Sequence, residues 1–305
     1  MKTMIRAFAL AATIACSPIA IGAQAQAQAT FASPDEAVAA LVKAARAADR
    51  KALLAVLGAD AASFVPSGDR VADRSQLTNF LGAYDKRNAI AAEGDKATLS
   101  IGEDNYPFAF PLVKRGDRWQ FDTAAGKDEM LARRVGQNEL AAIDVLRAVT
   151  DAQFEYASED RNGNGTLEYA RRFASSPGKR DGLYWPVKSG QPPSPLGALV
   201  ASAADDGYEK SAQRRPFHGY YFKPLRGQGP DAQRGAVDYI VKGRAIGGFA
   251  VVAWPAKYGN SGVMSFIVNH DGDVYEKDLG PNTQAIASAM RRFNPDKTWT
   301  KVPTR

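Results

Sequence analysis

From residue 33 to residue 84 the apolar positions recur every three or four residues, the period of helices with one buried face. Ser33-Pro34-Asp35-Glu36 opens the first of them. Ser33 suits the N-cap, Pro34 the first helical position, and Glu36 stands three residues after the cap. Ala37, Leu41 and Ala44 follow on one face. A second helix starts near Asp49, carries Leu53, Leu54 and Leu57, and stops at Gly58. A third spans 73–84, with Leu77, Phe80, Leu81 and Tyr84 on one face.

The period then drops to two. Ala97, Leu99 and Ile101 alternate with polar residues over 96–102, as in a half-buried strand. A second strand is expected over 108–114, with Pro111 pointing to an edge position. The Arg115-Gly116-Asp117-Arg118 turn leads into a return strand over 119–123. Residues 126–159 contain no proline and read as one long helix, or two joined near Gly136. Leu140, Ile143, Leu146, Val149 and Tyr156 form its apolar stripe. Loops follow at 160–165, 176–182 and 190–195. Strands return at 219–225, 237–242, 248–254, 263–269 and 274–278, separated by glycine turns, which reads as an antiparallel meander. A helix over 282–292 closes the pattern. This is an α+β chain: N-terminal helices with a curved antiparallel sheet over 30–125, then a long connecting helix and the meander over 126–305.

Residues 1–29 read as an export signal. Lys2 and Arg6 precede an apolar stretch, 7–22, and Ala-Gln repeats to Ala29 offer cleavage after Ala25, Ala27 or Ala29. The stretch is broken by Ser17-Pro18 and is short for a membrane span. Cys16 is the only cysteine; it would anchor a lipoprotein in the alternative reading. Once the signal is cut, disulfides, thiolate catalysis and Cys-bound zinc are excluded. Losing Lys2 and Arg6 lowers the formal charge from +6 to +4. The expected location is periplasmic or secreted, with no integral membrane segment in the mature chain. No run of basic residues marks a nucleic-acid surface.

Candidate chemistry is sparse. Asp160, Asn162 and Asn164 alternate, Gly165 is sixth, and Thr166 and Glu168 follow, with a helix before and a helix expected after, as in the opening of a calcium loop. The twelfth position, where a bidentate Glu closes such a site, is Arg171. The competing reading is an Asn-Gly turn whose side chains bond the local backbone. If calcium binds, Asp160 and Glu168 supply at most two carboxylates, so affinity falls near ~10⁻⁴–10⁻³ M; otherwise no cofactor is required. Asn269-His270-Asp271-Gly272-Asp273 reads as a hairpin turn. Neither His218 nor His270 sits in a nucleophile or metal motif. Tyr184-Trp185 and His218-Gly219-Tyr220-Tyr221 are candidates for a binding groove, although alternation puts Tyr220 and Tyr221 on opposite strand faces.

The N-terminal order of elements resembles the cone-shaped fold of nuclear-transport-factor-like and cystatin-like proteins. That likeness implies a pocket shaped by Tyr84, Trp119, Phe121 and Asp122. The C-terminal half resembles type IV pilins and pseudopilins in NELAAIDVLRAVTDAQFEY (138–156), Gly219 to Phe222, the Tyr258-Gly-Asn-Ser-Gly phrase and FIVNHDGDV (266–274). A pilin helix begins as an apolar anchor, whereas this one begins Lys127-Asp128-Glu129 and reaches Arg133-Arg134. Such a start cannot sit in a bilayer. Across nearly the whole mature length the chain is similar to a bacterial family catalogued as domain of unknown function 2950, through FASPDEAV, RWQFDTAAGKDEMLARRVGQNELAAI, PGKRDGLYWP and the long segment 247–281. The resemblance implies no catalytic residue. The expectation is an exported, non-enzymatic envelope protein that binds or scaffolds through a pilin-like domain lacking its anchor, with an envelope protein or a glycan as partner. The alternative is a periplasmic hydrolase or isomerase with Asp122 or Asp85 as acid or base.

Overall fold

Helix α1, Pro34–Arg46, starts where the capping residues place it. Ser33 Oγ accepts the Glu36 amide at 3.2 Å and Glu36 accepts the Ala32 amide at 3.1 Å, so two unpaired donors are satisfied together. Helix α2, Arg50–Leu57, is capped by Asp49 and ends at Gly58, whose φ of 97° needs glycine. Helix α3, Arg70–Lys86, begins three residues before the expected Asp73, because Asp69 takes the cap. The computed structural model describes residues 27–206, 208 and 215–303; the segment expected to be an export signal, 1–29, lies outside them except for residues 27–29.

The N-terminal sheet is antiparallel in the order Asn88–Glu93, Lys96–Ile101, Leu112–Arg115, Arg118–Phe121. Ala97, Leu99 and Ile101 face the core, as their alternation requires. The strand Asn88–Glu93 escaped the sequence reading because it is an exposed edge, with only Ile90 half-buried, so it carries no alternation. The edge position expected from Pro111 is corrected. Leu112–Arg115 is flanked on both sides, and Pro111 falls just outside it. Trp119, Phe121, Phe110 and Phe64 fill the space between sheet and helices.

Helix α4, Thr123–Ala157, is one continuous element of 35 residues, with no joint at Gly136. Asp122 caps it through the Ala125 amide. At ~1.5 Å per residue it runs for about 50 Å, and it serves two cores. Met130 and Leu131 pack on the N-terminal core, and Ala142 to Tyr156 pack beneath the C-terminal sheet. The charged start of this helix therefore lies against the first module's helices and sheet. Arg134 is buried at the crossing, donating to the Phe64 carbonyl (2.7 Å), the Val65 carbonyl (2.8 Å) and Asn260 Oδ1 (2.5 Å).

The second sheet is an antiparallel meander in the order Tyr220–Leu225, Ala250–Pro255, Met264–Asn269, Val274–Asp278, Thr300–Lys301. Both faces are covered. Tyr220, Val251, Phe266 and Val268 meet α4, while Val252, Trp254 and Ile267 meet Ala287 and Phe293. Three expectations need correction. The single strand at 237–242 is two short pieces, Val237–Asp238 and Ile240–Val241, in separate small sheets. The last helix, α6 (Thr283–Ala289), is shorter than 282–292, and Arg292–Phe293 instead pairs in parallel with Gly227–Gln228. No helix follows the Asp160 loop; residues 158–196 are irregular, broken by glycines and prolines, until α5, Gly197–Asp205. Among the described residues no helix is long and apolar enough to cross a membrane.

Candidate functional site

The Asp160 loop folds back on itself. Asp160 accepts the Asn164 and Gly165 amides, and Asn162 Oδ1 also accepts the Asn164 amide. Asn164 Oδ1 accepts the Thr166 amide, and Thr166 Oγ1 accepts from Arg244. The side-chain amides of Asn162 and Asn164 both donate to Glu168 Oε1, while Glu168 Oε2 accepts the Ala245 amide. The candidate ligands do converge, but donors, not acceptors, face the carboxylate. Binding a cation would require turning both amides, at the cost of the backbone bonds that Oδ1 now makes. Among the described residues no group of three or more His, Cys, Asp or Glu is placed to hold a metal ion. We expect the protein to melt at the same temperature in millimolar calcium and in chelator. A rise of about 1.4 kcal/mol in stability at roughly ten times Kd, lost in Asp160→Ala, would establish a cation site instead.

The five aromatic and histidine candidates do not share one surface, although Tyr184 and Trp185 together line a pocket of about 270 Å³ against α5. Tyr220 is fully buried and donates to the Met264 carbonyl at 2.9 Å. Tyr221, on the other face, packs on Trp254. Trp185 is buried edge-on against Tyr156, and Tyr184 is half-buried at the same core. His218, with φ 47°, stacks on Phe217 and points Nε2 toward Asp206 at 3.9 Å. Its backbone amide bonds Tyr208, whose hydroxyl donates to Asp69, and Asp69 also accepts the Gly219 amide. This polar knot joins the two halves. Burial, followed by the Asp69 carboxylate, pushes the Tyr208 hydroxyl pKa up. Asp122 is committed to capping α4, and Asp85 to an exposed ion pair with Arg46 at 2.5 Å. His270 opens the turn between two strands, as expected, with Gly272 at φ 83°.

What the sequence did not disclose is a cleft of about 660 Å³ in the C-terminal half. It runs from the Asp160 loop past the end of the Tyr220–Leu225 strand to the chain after α6. Arg171, Arg172, Lys223, Arg226, Arg244 and Arg291 line it, against two carboxylates, Glu168 and Asp181. Both acids are engaged. Asp181 accepts the Ser176 amide at 2.7 Å and its hydroxyl at 2.9 Å; burial pushes its pKa up, but these bonds and Arg172 outweigh that and hold it low. Lys223 is held by the carbonyls of Ala287, Ser288 and Met290 at the end of α6. Arg226 and Arg291 are different. The Arg226 amide donates to the Arg291 carbonyl at 2.9 Å, so the two residues are neighbours. Both are exposed, and no carboxylate among the described residues pairs with either.

The titrations in the cleft move away from neutrality. Burial, then the Glu168 and Asp181 carboxylates, push Tyr156 up to about 12, and burial raises Tyr169 and Tyr239. No histidine lines the cleft. The arrangement can neutralise and orient an anion; it does not present a nucleophile beside a base. The six cations are scattered from 171 to 291, so no run or motif marks them; the Arg171-Arg172 pair is the sole local signal.

No curated protein matches this chain. No solved structure matches it either, so the pilin and cone likenesses rest on the quoted phrases and element order alone. The model of one family, described as a protein of unknown function, DUF2950, matches residues 28–302, and the chain belongs to that family.

Proposed function

We propose that the protein is an exported, non-catalytic binding protein of the cell envelope, and that its ligand is an anion held in the C-terminal cleft. One observation carries the reading: six cationic side chains against two already engaged carboxylates, with Arg226 and Arg291 joined through their backbones and paired with no carboxylate among the described residues. Two guanidinium forks lining one cleft suit a phosphate or carboxylate group, which each can bind in bidentate fashion. Export is supported by the pattern of residues 1–29. The long helix and the polar knot at Asp69 support a scaffold in which the N-terminal module steadies the cleft-bearing half.

Thermal unfolding with tripolyphosphate, oligogalacturonate and a neutral oligosaccharide tests this. At about a hundred times Kd a ligand of the folded state adds ~2.7 kcal/mol of stability. We expect a rise with at least one polyanion, its loss at high salt, and its loss in the Arg226→Ala/Arg291→Ala double variant. A rise that survives the double variant would remove the cleft from consideration.

A further inference from the structure

The cleft carries a second feature that an anion alone does not require. Tyr169 and Phe249 line it with rings 5.0 Å apart, and Phe154 of α4 meets both edge-on, at 6.2 Å and 5.7 Å. Phe154 is 47% exposed although Gln153 and Tyr156 of the same helix are buried. Leu167 and Ile246, at 60% and 48%, are exposed nearby in sequence on the two segments that carry Tyr169 and Phe249. A large exposed aromatic backed by two further rings is costly to leave in water and marks a contact surface. Phe154 itself lies outside the cleft lining and adjoins it through Tyr169 and Phe249.

We propose that the ligand is an acidic glycan, whose sugar rings lie on the accessible rings of Phe154 and Tyr169, with the buried Phe249 behind them, and whose acid groups meet the arginines. The proposal rests on the anion reading above and narrows it. Sugar rings present apolar C–H faces that pack on aromatic rings, and their hydroxyls suit the polar loop of Asn162 and Asn164 beside the cleft. A free phosphate or a phosphate chain would use the arginines and leave the rings idle. The volume, about 660 Å³, falls within the ~300–1,000 Å³ of sites that enclose most of a drug-sized ligand, which is more than a single acid group needs.

The test is calorimetric titration of the full mature chain with four probes: tetragalacturonate, tetrapolyphosphate of similar charge, neutral cellotetraose, and a short oligothymidylate. We expect tetragalacturonate to bind roughly tenfold tighter than tetrapolyphosphate, the size of effect that one stacking contact gives. Phe154→Ala should erase that advantage and leave tetrapolyphosphate binding unchanged. Its unaltered melting temperature checks that the fold is intact. Equal binding of the two acids, untouched by Phe154→Ala, overturns the glycan and leaves the anion site standing. Cellotetraose bound as tightly as tetragalacturonate overturns the anion reading. Tighter oligothymidylate binding overturns the glycan in favour of a single-stranded nucleic acid, and no binding of any probe overturns both.

Discussion

Replacing Arg134 by methionine is expected to cost about 3 kcal/mol, since its guanidinium joins the two halves of the molecule at one buried point. The side chain is 3% exposed. It bonds two carbonyls of the Phe64–Val65 segment and the side chain of Asn260, which belong to different modules. Methionine fills the volume but donates nothing. The Val65 carbonyl and Asn260 Oδ1 would lose their donor, at ~1–3 kcal/mol for each buried acceptor left unpaired. The Phe64 carbonyl keeps the Asn260 amide at 3.2 Å, so its loss is smaller. One effect opposes the sum. Burial disfavours the charge and lowers the Arg134 pKa, with Asp73 nearby acting against that, so removing the charge recovers part of its desolvation. The expected balance is a net loss, read as a lower denaturant midpoint. If the modules also separate, one unfolding transition becomes two. Lysine should fall between, keeping a charge without the planar fork. A loss under about 1 kcal/mol for Arg134→Met would mean that the junction holds through its apolar contacts alone.

This junction shows where the sequence was opaque. Tyr258-Gly-Asn-Ser-Gly reads as a polar turn opening a strand, and polar turns usually face water. Gly259 does adopt φ 71°, as a turn demands. Yet Asn260 and Ser261 are 4% and 0% exposed: Asn260 donates to the carbonyls of Phe64 and Pro66, while Ser261 is held by Asn138 of α4 and by Lys257. Nothing local distinguishes a turn facing solvent from one facing another module. The caps at Ser33 and Asp49, the alternation at Ala97, Leu99 and Ile101, and the opposite facing of Tyr220 and Tyr221 were legible, because each depends on neighbours within a few residues; the Asp122 cap was not, since 119–123 reads as strand and the helix was expected only from 126. The cleft was not. Arg226 and Arg291 meet through a pairing that joins segments 65 residues apart, and their exposure depends on how an irregular stretch of nearly forty residues, 158–196, wraps the sheet. The Asp160 loop stands between these cases. Its turn chemistry was local and readable, whereas the inward turn of the Asn162 and Asn164 amides depends on Glu168 and on the distant Ala245 amide.

Two glycines on α4 should respond to the same substitution with opposite signs. Gly136 is exposed, and a Cβ there would meet nothing within 4 Å. Gly136→Ala removes backbone freedom from the unfolded chain and should stabilise by roughly 0.5–1 kcal/mol. Gly126 is buried, and a Cβ there would lie 2.1, 2.5 and 2.7 Å from three atoms of the Phe110 ring. The ring has nowhere simple to go. Phe110 is 3% exposed and packed between Phe64, at 6.2 Å, and Phe108, at 5.6 Å. Overpacking of this kind costs ~1–3 kcal/mol, and the upper end applies because an aromatic ring, not a flexible tip, must move. We therefore expect Gly126→Ala to lower stability by about 2 kcal/mol, a gap of roughly 3 kcal/mol between two chemically identical changes ten residues apart. Urea midpoints at equal slope would measure it. If both variants gained stability, the close approach of α4 to Phe110, and with it the docking of the charged helix start on the N-terminal module, would be wrong.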